Sequence, residues 1–294
     1  MEIFGIPSQV ILGQLMLGMI NGSFYAVLSL GLAIIFGLLN IINFAHGAQY
    51  MLGAFGAFLG LKWFGINYWA ALVLSPLAVG LVAIVVERSM LRHLYKLDHL
   101  YGLLLTFGLA LIAEGAFTNF FGVSGESYPT PEILQGGVNL GFMYLPIYRG
   151  WVLMAALTVC FAAWYIIERT SLGATLRAAT QRPDLVQALG INVPLLVTST
   201  YAAGVALAAF AGVLAAPIQQ VNPIMGSNLI IVVFAVVVIG GMGSILGAIV
   251  TGLGLGLIEG LTKVVYPEAS AVVIFLIMVL VLLVKPAGLF GKQA

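Results

Sequence analysis

The sequence predicts an all-α integral membrane protein: a polytopic bundle of about eight to nine transmembrane helices forming one domain over residues 1–294. Three observations carry this reading. Hydrophobic residues make up 62% of the chain and charged residues 7%, whereas a soluble domain carries about 25% charge and about 45–50% apolar residues. The chain has 36 glycines, many of them inside apolar runs, where small residues let helix backbones approach closely in lipid. Those runs recur near the length of about 20 residues that a helix needs to cross roughly 30 Å of hydrocarbon, where every backbone group must be bonded within the chain.

Taken in order, the runs fall near 9–37, 46–61, 70–86, 100–121, 151–167, 194–217, 228–246, 247–264 and 269–285. The first lacks a basic leader and continues into polar Asn40 and Asn43, so it reads as a retained span rather than a cleaved signal. The second is short and rich in glycine. The stretch 228–263 is too long for one ordinary span and just enough for two, with Gly240, Gly241 and Gly243 as the break; a re-entrant pair is the alternative. Basic residues set the orientation. Arg88, Arg92, Lys96, Arg169, Arg177, Arg182, Lys285 and Lys292 fall on one side, which becomes the cytoplasm, and Lys62, Arg149 and Lys263 on the other. Nine crossings with the N-terminus outside satisfy that count. The outer connection 122–149 carries Glu126 and Glu132, is too polar to cross, and is a candidate docking surface or lid.

Composition and motifs exclude several function classes. A formal net charge of +1 gives no reason to expect a nucleic-acid partner. The single cysteine, Cys160, rules out an internal disulfide or a thiolate cluster and reads as a small packing residue. HExxH, GxSxG and Walker A patterns are absent, so the chain is not read as an enzyme. No cofactor or metal is expected, and any energy must come from elsewhere.

Four features remain. Between Glu168 and Asn192 lies a helical stretch followed by a short piece, Pro183 to Leu189, that proline opens and Gly190 closes. Asp184 sits in its first turn, where the helix dipole favours a carboxylate. A helix docking a soluble partner is favoured over a solvated loop, because Leu185, Val186 and Leu189 would otherwise face water. The second feature is a stripe of Asn40, Asn43, His46 and Gln49, at three-residue steps on one helical face. It reads equally as the wall of a substrate pathway or as interhelical hydrogen bonds worth about 0.6 kcal/mol each. His46 has no second His or Cys at ligand spacing and reads as an uncharged, hydrogen-bonded side chain. Third, Glu114 and Glu259 are the carboxylates expected inside spans, where an ionised group costs about 2.5–3.5 kcal/mol. Each must be paired, protonated or wet, and can serve proton coupling, contact with a substrate ammonium, or packing; neither is assigned an Arg or Lys partner within one helical turn. The last is a polar outer turn, Gln219 to Gly226 with Asn222, preceding a GxxxG-type face at Gly252, Gly256 and Gly260, which packs within the chain or against a partner.

Several strings together resemble a known family. Asn43-Phe44-Ala45-His46-Gly47 with its NGSFYAVLSLGLAIIFG lead-in, LGATLRAATQRPDLVQALGIN at 172–192, VVVIGGMGSILGAIVTG at 236–252 and the KPAGLFG tail are similar to permease subunits of ABC importers of the branched-chain (hydrophobic) amino acid type. The resemblance implies the shorter of two related permeases in a heterodimer, with two cytoplasmic ATP-binding subunits and a periplasmic substrate-binding protein, in a bacterial inner membrane. It implies alternating access, and makes 168–192 the cytoplasmic coupling helix, with Arg177, Ala179, Asp184, Ala188 and Gly190 at the matching positions. The pathway candidates are then Asn40, Asn43, His46, Gln49, Glu114, Glu259 and Asn222. Asn222 stands where many relatives have an acidic residue before the proline. Relatives in the broad family carry urea, short amides or aromatic acids, so the resemblance fixes the transporter type better than the cargo. A stand-alone channel, a proton-coupled carrier using Glu114 or Glu259, and a scaffold are the competing readings.

Overall fold

The computed structural model describes residues 2–3, 6–39, 41–95 and 97–291. Asn40, Lys96 and Lys292, all named above, lie outside the described residues. The helices in chain order are α1 (Ser8–Leu39), α2 (His46–Phe64), α3 (Tyr68–Val86), α4 (Arg92–Leu94), α5 (His99–Phe121), α6 (Ile147–Arg169), α7 (Ser171–Gln181), α8 (Pro183–Ala188), α9 (Val193–Ala215), α10 (Met225–Gly240), α11 (Ile245–Val265) and α12 (Val273–Val284). A π turn, Glu87–Leu91, joins α3 to α4. Two small antiparallel hairpins complete the list, β1 (Glu2–Ile3) with β2 (Ile6–Pro7) and β3 (Gly137–Asn139) with β4 (Tyr144–Pro146).

Local chemistry sets the boundaries. Side-chain oxygens of Asn67, Asp98, Asn192 and Ser244 accept N–H bonds in the first turns of α3, α5, α9 and α11, at 2.9–3.0 Å, filling donors that a helix start leaves open. Each of the nine expected spans is a helix, with ends shifted by a few residues. Among the described residues, six helical stretches are long and apolar enough to cross a membrane: Ser8–Gly37, Tyr68–Leu94, His99–Phe121, Ile147–Arg169, Val193–Ala215 and Ile245–Val265. Helices α10 and α12 are apolar but shorter, at 16 and 12 residues. The chain is therefore a multi-pass, all-α membrane protein. The break expected near Gly240 is present, and α10 stops there, six residues before the expected end at 246, because Gly241 and Gly243 take φ of 99° and 88°. Only glycine enters that region without strain.

The chain forms two compact units. One is Met1–Ser29, Pro129–Cys160 and Val232–Ala294; the other is Leu30–Tyr128 and Phe161–Ile231. In the first, α11 lies against the early turns of α1. A Cβ on Gly256 would stand 2.3 Å from Gly22 Cα, and one on Gly18 would stand 2.5 Å from Gly256 O. The GxxxG face is thus a seam inside the chain, closed by backbone contact that any side chain would separate. The tail belongs to the same unit: Leu289 and Phe290 donate backbone N–H bonds to Ile239 O and Gly240 O at 2.8 and 3.1 Å. The two glycine-rich strings of the sequence meet there. In the second unit α2, α3 and α9 pack together around Ile35, Leu91, Tyr201, Val205 and Ala209, all at most 1% exposed.

Candidate functional site

Polar residues at and before the start of α2 are joined by hydrogen bonds into a knot in the second unit. The helix begins only at His46, so Asn43 sits in the turn before it and does not share a helical face with His46 and Gln49. That corrects the expected stripe, and the reason is local: the Asn43 carbonyl and Oδ1 accept the N–H groups of His46 and Ala45, at 3.3 and 3.1 Å, which holds the turn open. Asn43 Nδ2 donates to Gln49 Oε1 at 3.0 Å, and Gln49 Nε2 donates to the Tyr201 hydroxyl on α9 at 3.4 Å. From α5, Thr106 Oγ1 accepts the Phe44 N–H at 3.1 Å and donates to Ile42 O at 3.2 Å. Asn43, His46 and Thr106 are fully buried and Gln49 is 8% exposed. The imidazole of His46 fills the room left by Gly31, where a Cβ would stand 3.0 Å from His46 Cε1.

Directly after this knot the chain borders a cavity of about 370 Å³, within the range of about 300–1,000 Å³ of small-molecule sites. Phe44, Gly47 and Ala48 contribute one wall, Phe107, Ala110, Leu111 and Glu114 of α5 a second, and Pro223, Gly226, Ser227, Ile230 and Ile231 a third. Phe44 and Phe107 meet edge to face, with centroids 6.2 Å apart. Helices α2 and α10 cross backbone to backbone here, since a Cβ on Gly226 would stand 2.0 Å from Gly47 O. Among the described residues, Glu114 is the one ionisable group of the lining. The Ser227 hydroxyl donates to its Oε2 at 2.5 Å.

Glu259, in the first unit, has a different environment. Its Oε2 accepts from the Tyr25 hydroxyl at 2.8 Å, and its Oε1 pairs with Lys263 Nζ, four residues on. The expectation that Glu259 lacks a basic partner within a turn is thereby corrected: i and i+4 are neighbours on a helix. Glu87, next to Arg88 at the end of the third apolar run, is 1% exposed. Its two oxygens accept from the Tyr95 and Thr198 hydroxyls at 2.7 Å each. Burial, and secondarily the bond to Glu87, push the Tyr95 phenol well above its ordinary range. The only sequence signal for this site is that Glu87 follows an apolar run without a break; Thr198 is 111 residues away.

The segment 168–192 is a hook of α7 and α8. Arg177 Nη1 donates to Ile167 O at 2.8 Å and stands 3.7 Å from the Glu168 carboxylate. Both side chains are over 40% exposed, so that ion pair contributes at most about 1 kcal/mol. Ala179, Val186 and Val193 form a small core. Val186 is therefore buried, against expectation, while Leu185 and Leu189 are 61% and 79% exposed. Asp184 and Ala188 are exposed, Pro183 opens α8, and Gly190 closes it at φ 83°.

Glu126 and Val221 exchange two backbone bonds of 2.8 Å, tying the connection 122–149 to the turn that carries Asn222. Asn222 Nδ2 donates to Gln220 O at 3.1 Å, and its Oδ1 has no donor among the described residues. Nearby, Tyr128 is 4% exposed, and burial pushes its hydroxyl up to about 12. The far part of the connection folds as β3 and β4 within the first unit. Among the described residues no three His, Cys, Asp or Glu side chains gather as a metal site requires.

Many apolar helices, a buried polar knot and a cavity of small-molecule size define a multi-pass membrane protein of the permease type. Residues 14–282 match the family described as branched-chain amino acid transport system / permease component, and the chain belongs to that family. It is 30% identical to the high-affinity branched-chain amino acid transport system permease protein BraD of Pseudomonas aeruginosa, over 96% of each chain. It is 29% identical to the permease protein LivH of Escherichia coli K12, again over 96% of each. To LivM of Escherichia coli K12, another permease protein of such a system, it is 25% identical over 90% of this chain and 67% of that one. The match thus runs end to end with the shorter relatives.

Proposed function

We propose that this chain is the shorter of two related permeases in an ATP-driven importer of branched-chain or other hydrophobic amino acids or related small molecules, working by alternating access. The observation that carries the reading is the family match across 14–282, joined to the α7–α8 hook with its two exposed leucines. The importer then contains a second permease, two cytoplasmic ATP-binding subunits and a periplasmic substrate-binding protein, in a bacterial inner membrane. The N-terminus is periplasmic and the C-terminus cytoplasmic, by the distribution of Lys and Arg. Nine crossings follow if α2, α10 and α12 complete the six long helices.

In this reading the ATP-binding subunits push on the hook. Leu185 and Leu189 seat it, and Arg177, Ala179, Asp184, Ala188 and Gly190 belong to the coupling surface, with Asp184 and Ala188 exposed on it. Motion of the hook reaches α9 directly, because Ala179 and Val186 pack on Val193 at its start. The connection 122–149 receives the binding protein. Glu114 faces the pathway and Asn222 borders it; Asn43, His46 and Gln49 hold the wall behind it. Glu259, paired with Lys263, stabilises its own unit. A stand-alone channel or proton-coupled carrier for a small polar solute such as urea or an amide is the rival reading.

The test is reconstitution. Vesicles holding the whole complex with ATP inside are expected to accumulate radiolabelled leucine when the binding protein is outside, and the chain alone is expected to move none. Leucine or proton-driven solute transport by the chain alone contradicts the importer reading.

A further inference from the structure

The lining of the cavity in the second unit is selective in a way that bears on cargo. Phe44, Phe107, Ile230 and Ile231 make its walls apolar, and Glu114 gives it one carboxylate. Ser227 engages only Oε2 of that carboxylate, and Oε1 has no hydrogen-bond partner among the described residues. Helix α10 starts beside it at Met225, so the N–H groups of Gly226 and Ser227 have no acceptor within the helix, and a helix start favours an anionic group. Only 6% of the apolar stretch of α5 is buried, yet this stretch carries Glu114. A carboxylate at membrane depth faces protein or a water-filled space and not lipid.

We propose that this cavity is a transit site for a zwitterionic α-amino acid with an apolar side chain. Glu114 Oε1 receives the ammonium, the first turn of α10 faces the carboxylate, and the side chain lies against Phe44, Phe107 and Ile231. The proposal rests on the importer reading above and names the site within it. It also orders the cargoes that reading leaves open. An aromatic or aliphatic acid lacking an ammonium meets the Glu114 charge unpaired and is rejected; urea or a short amide leaves that charge unanswered and the apolar walls unfilled. Ser227 acts as a positioning residue, fixing the carboxylate rotamer so that one oxygen stays free.

The experiment is leucine uptake by the complete complex in vesicles, per assembled complex, for wild type and for Glu114→Gln, Glu114→Asp, Ser227→Ala and Ile231→Trp. Glu114→Gln keeps the size of the side chain and an acceptor for Ser227, and is expected to lower uptake at least about tenfold at low leucine, the loss of one charge-assisted bond. Glu114→Asp should restore part of the uptake, Ser227→Ala should raise the KM for leucine, and Ile231→Trp, which fills the cavity, should block uptake. Wild-type uptake in Glu114→Gln or in Ile231→Trp overturns the assignment and leaves the importer reading standing. If the wild-type complex carries urea or benzoate but not leucine, the assignment also falls. Failure of the wild-type complex to accumulate any solute with ATP overturns the importer reading itself.

Discussion

The knot before α2 and the cavity that follows it are neighbours in the sequence and opposites in chemistry. In the knot, Asn43 answers Gln49, Gln49 answers Tyr201, and Thr106 answers the backbone at Ile42 and Phe44. At the cavity a single hydroxyl answers one oxygen of Glu114, and about 370 Å³ of space adjoins it. A polar group in a membrane interior is costly until something bonds it. Where the protein itself supplies the partner, the group becomes structure; where the protein leaves room instead, the partner is a solute. The two places differ in burial as well: Asn43 and Thr106 are fully buried, whereas Glu114 is half-buried and Ser227 exposed.

The comparison can be broken by exchanging stability for transport at each place. The largest stability effect is expected at Glu87, whose two oxygens are both used. Glu87→Leu should leave the Tyr95 hydroxyl unpaired and throw Thr198 back on its helix bond to Pro194 O, lower stability by about 2–5 kcal/mol and reduce the amount of folded chain in the membrane, read by thermal unfolding in detergent. Asn43→Leu comes next. It strands Gln49 Oε1 and the Ala45 N–H and should cost about 1–3 kcal/mol, while the leucine KM of the folded complex stays at the wild-type value. If instead the KM rises without a change in unfolding temperature, Asn43 belongs to the pathway and the contrast fails. In the hook, replacing Asp184 and Gly190 together should leave ATP hydrolysis by the complex running while uptake falls several-fold, because φ of 83° at position 190 is strained for any side chain. Uptake that tracks hydrolysis as in wild type removes the coupling role. Lys263→Met should have the smallest effect, about 0.5 kcal/mol or less, because Glu259 keeps Tyr25 and the lost pair spans one turn at a partly exposed position.

What could be read in advance follows from the range of the physics. Apolar runs report burial in lipid directly, so every expected span is a helix, and the break at Gly240 is visible because glycines mark it. The Glu259–Lys263 pair was also within reach, being a four-residue spacing. The cavity was not: Ser227 reaches Glu114 across 113 positions, and α10 meets α2 through Gly226 and Gly47. Nothing local in the sequence connects them. Asn43 misled for the opposite reason. Its three-residue spacing from His46 imitates a helical face, but its own side chain caps the turn and delays the helix start. Glu87 shows that a charge at the end of a span is not necessarily solvated, since hydroxyls from two other segments enclose it.

The most direct test of the central claim pairs Asn43→Leu with Glu114→Gln in the same vesicles of complete complex, measuring unfolding temperature and leucine uptake per folded complex together. Asn43→Leu is expected to lower the unfolding temperature and keep the uptake of each folded complex, whereas Glu114→Gln keeps the unfolding temperature and loses uptake. The reverse pattern, or equal effects of the two on both readouts, would contradict the claim.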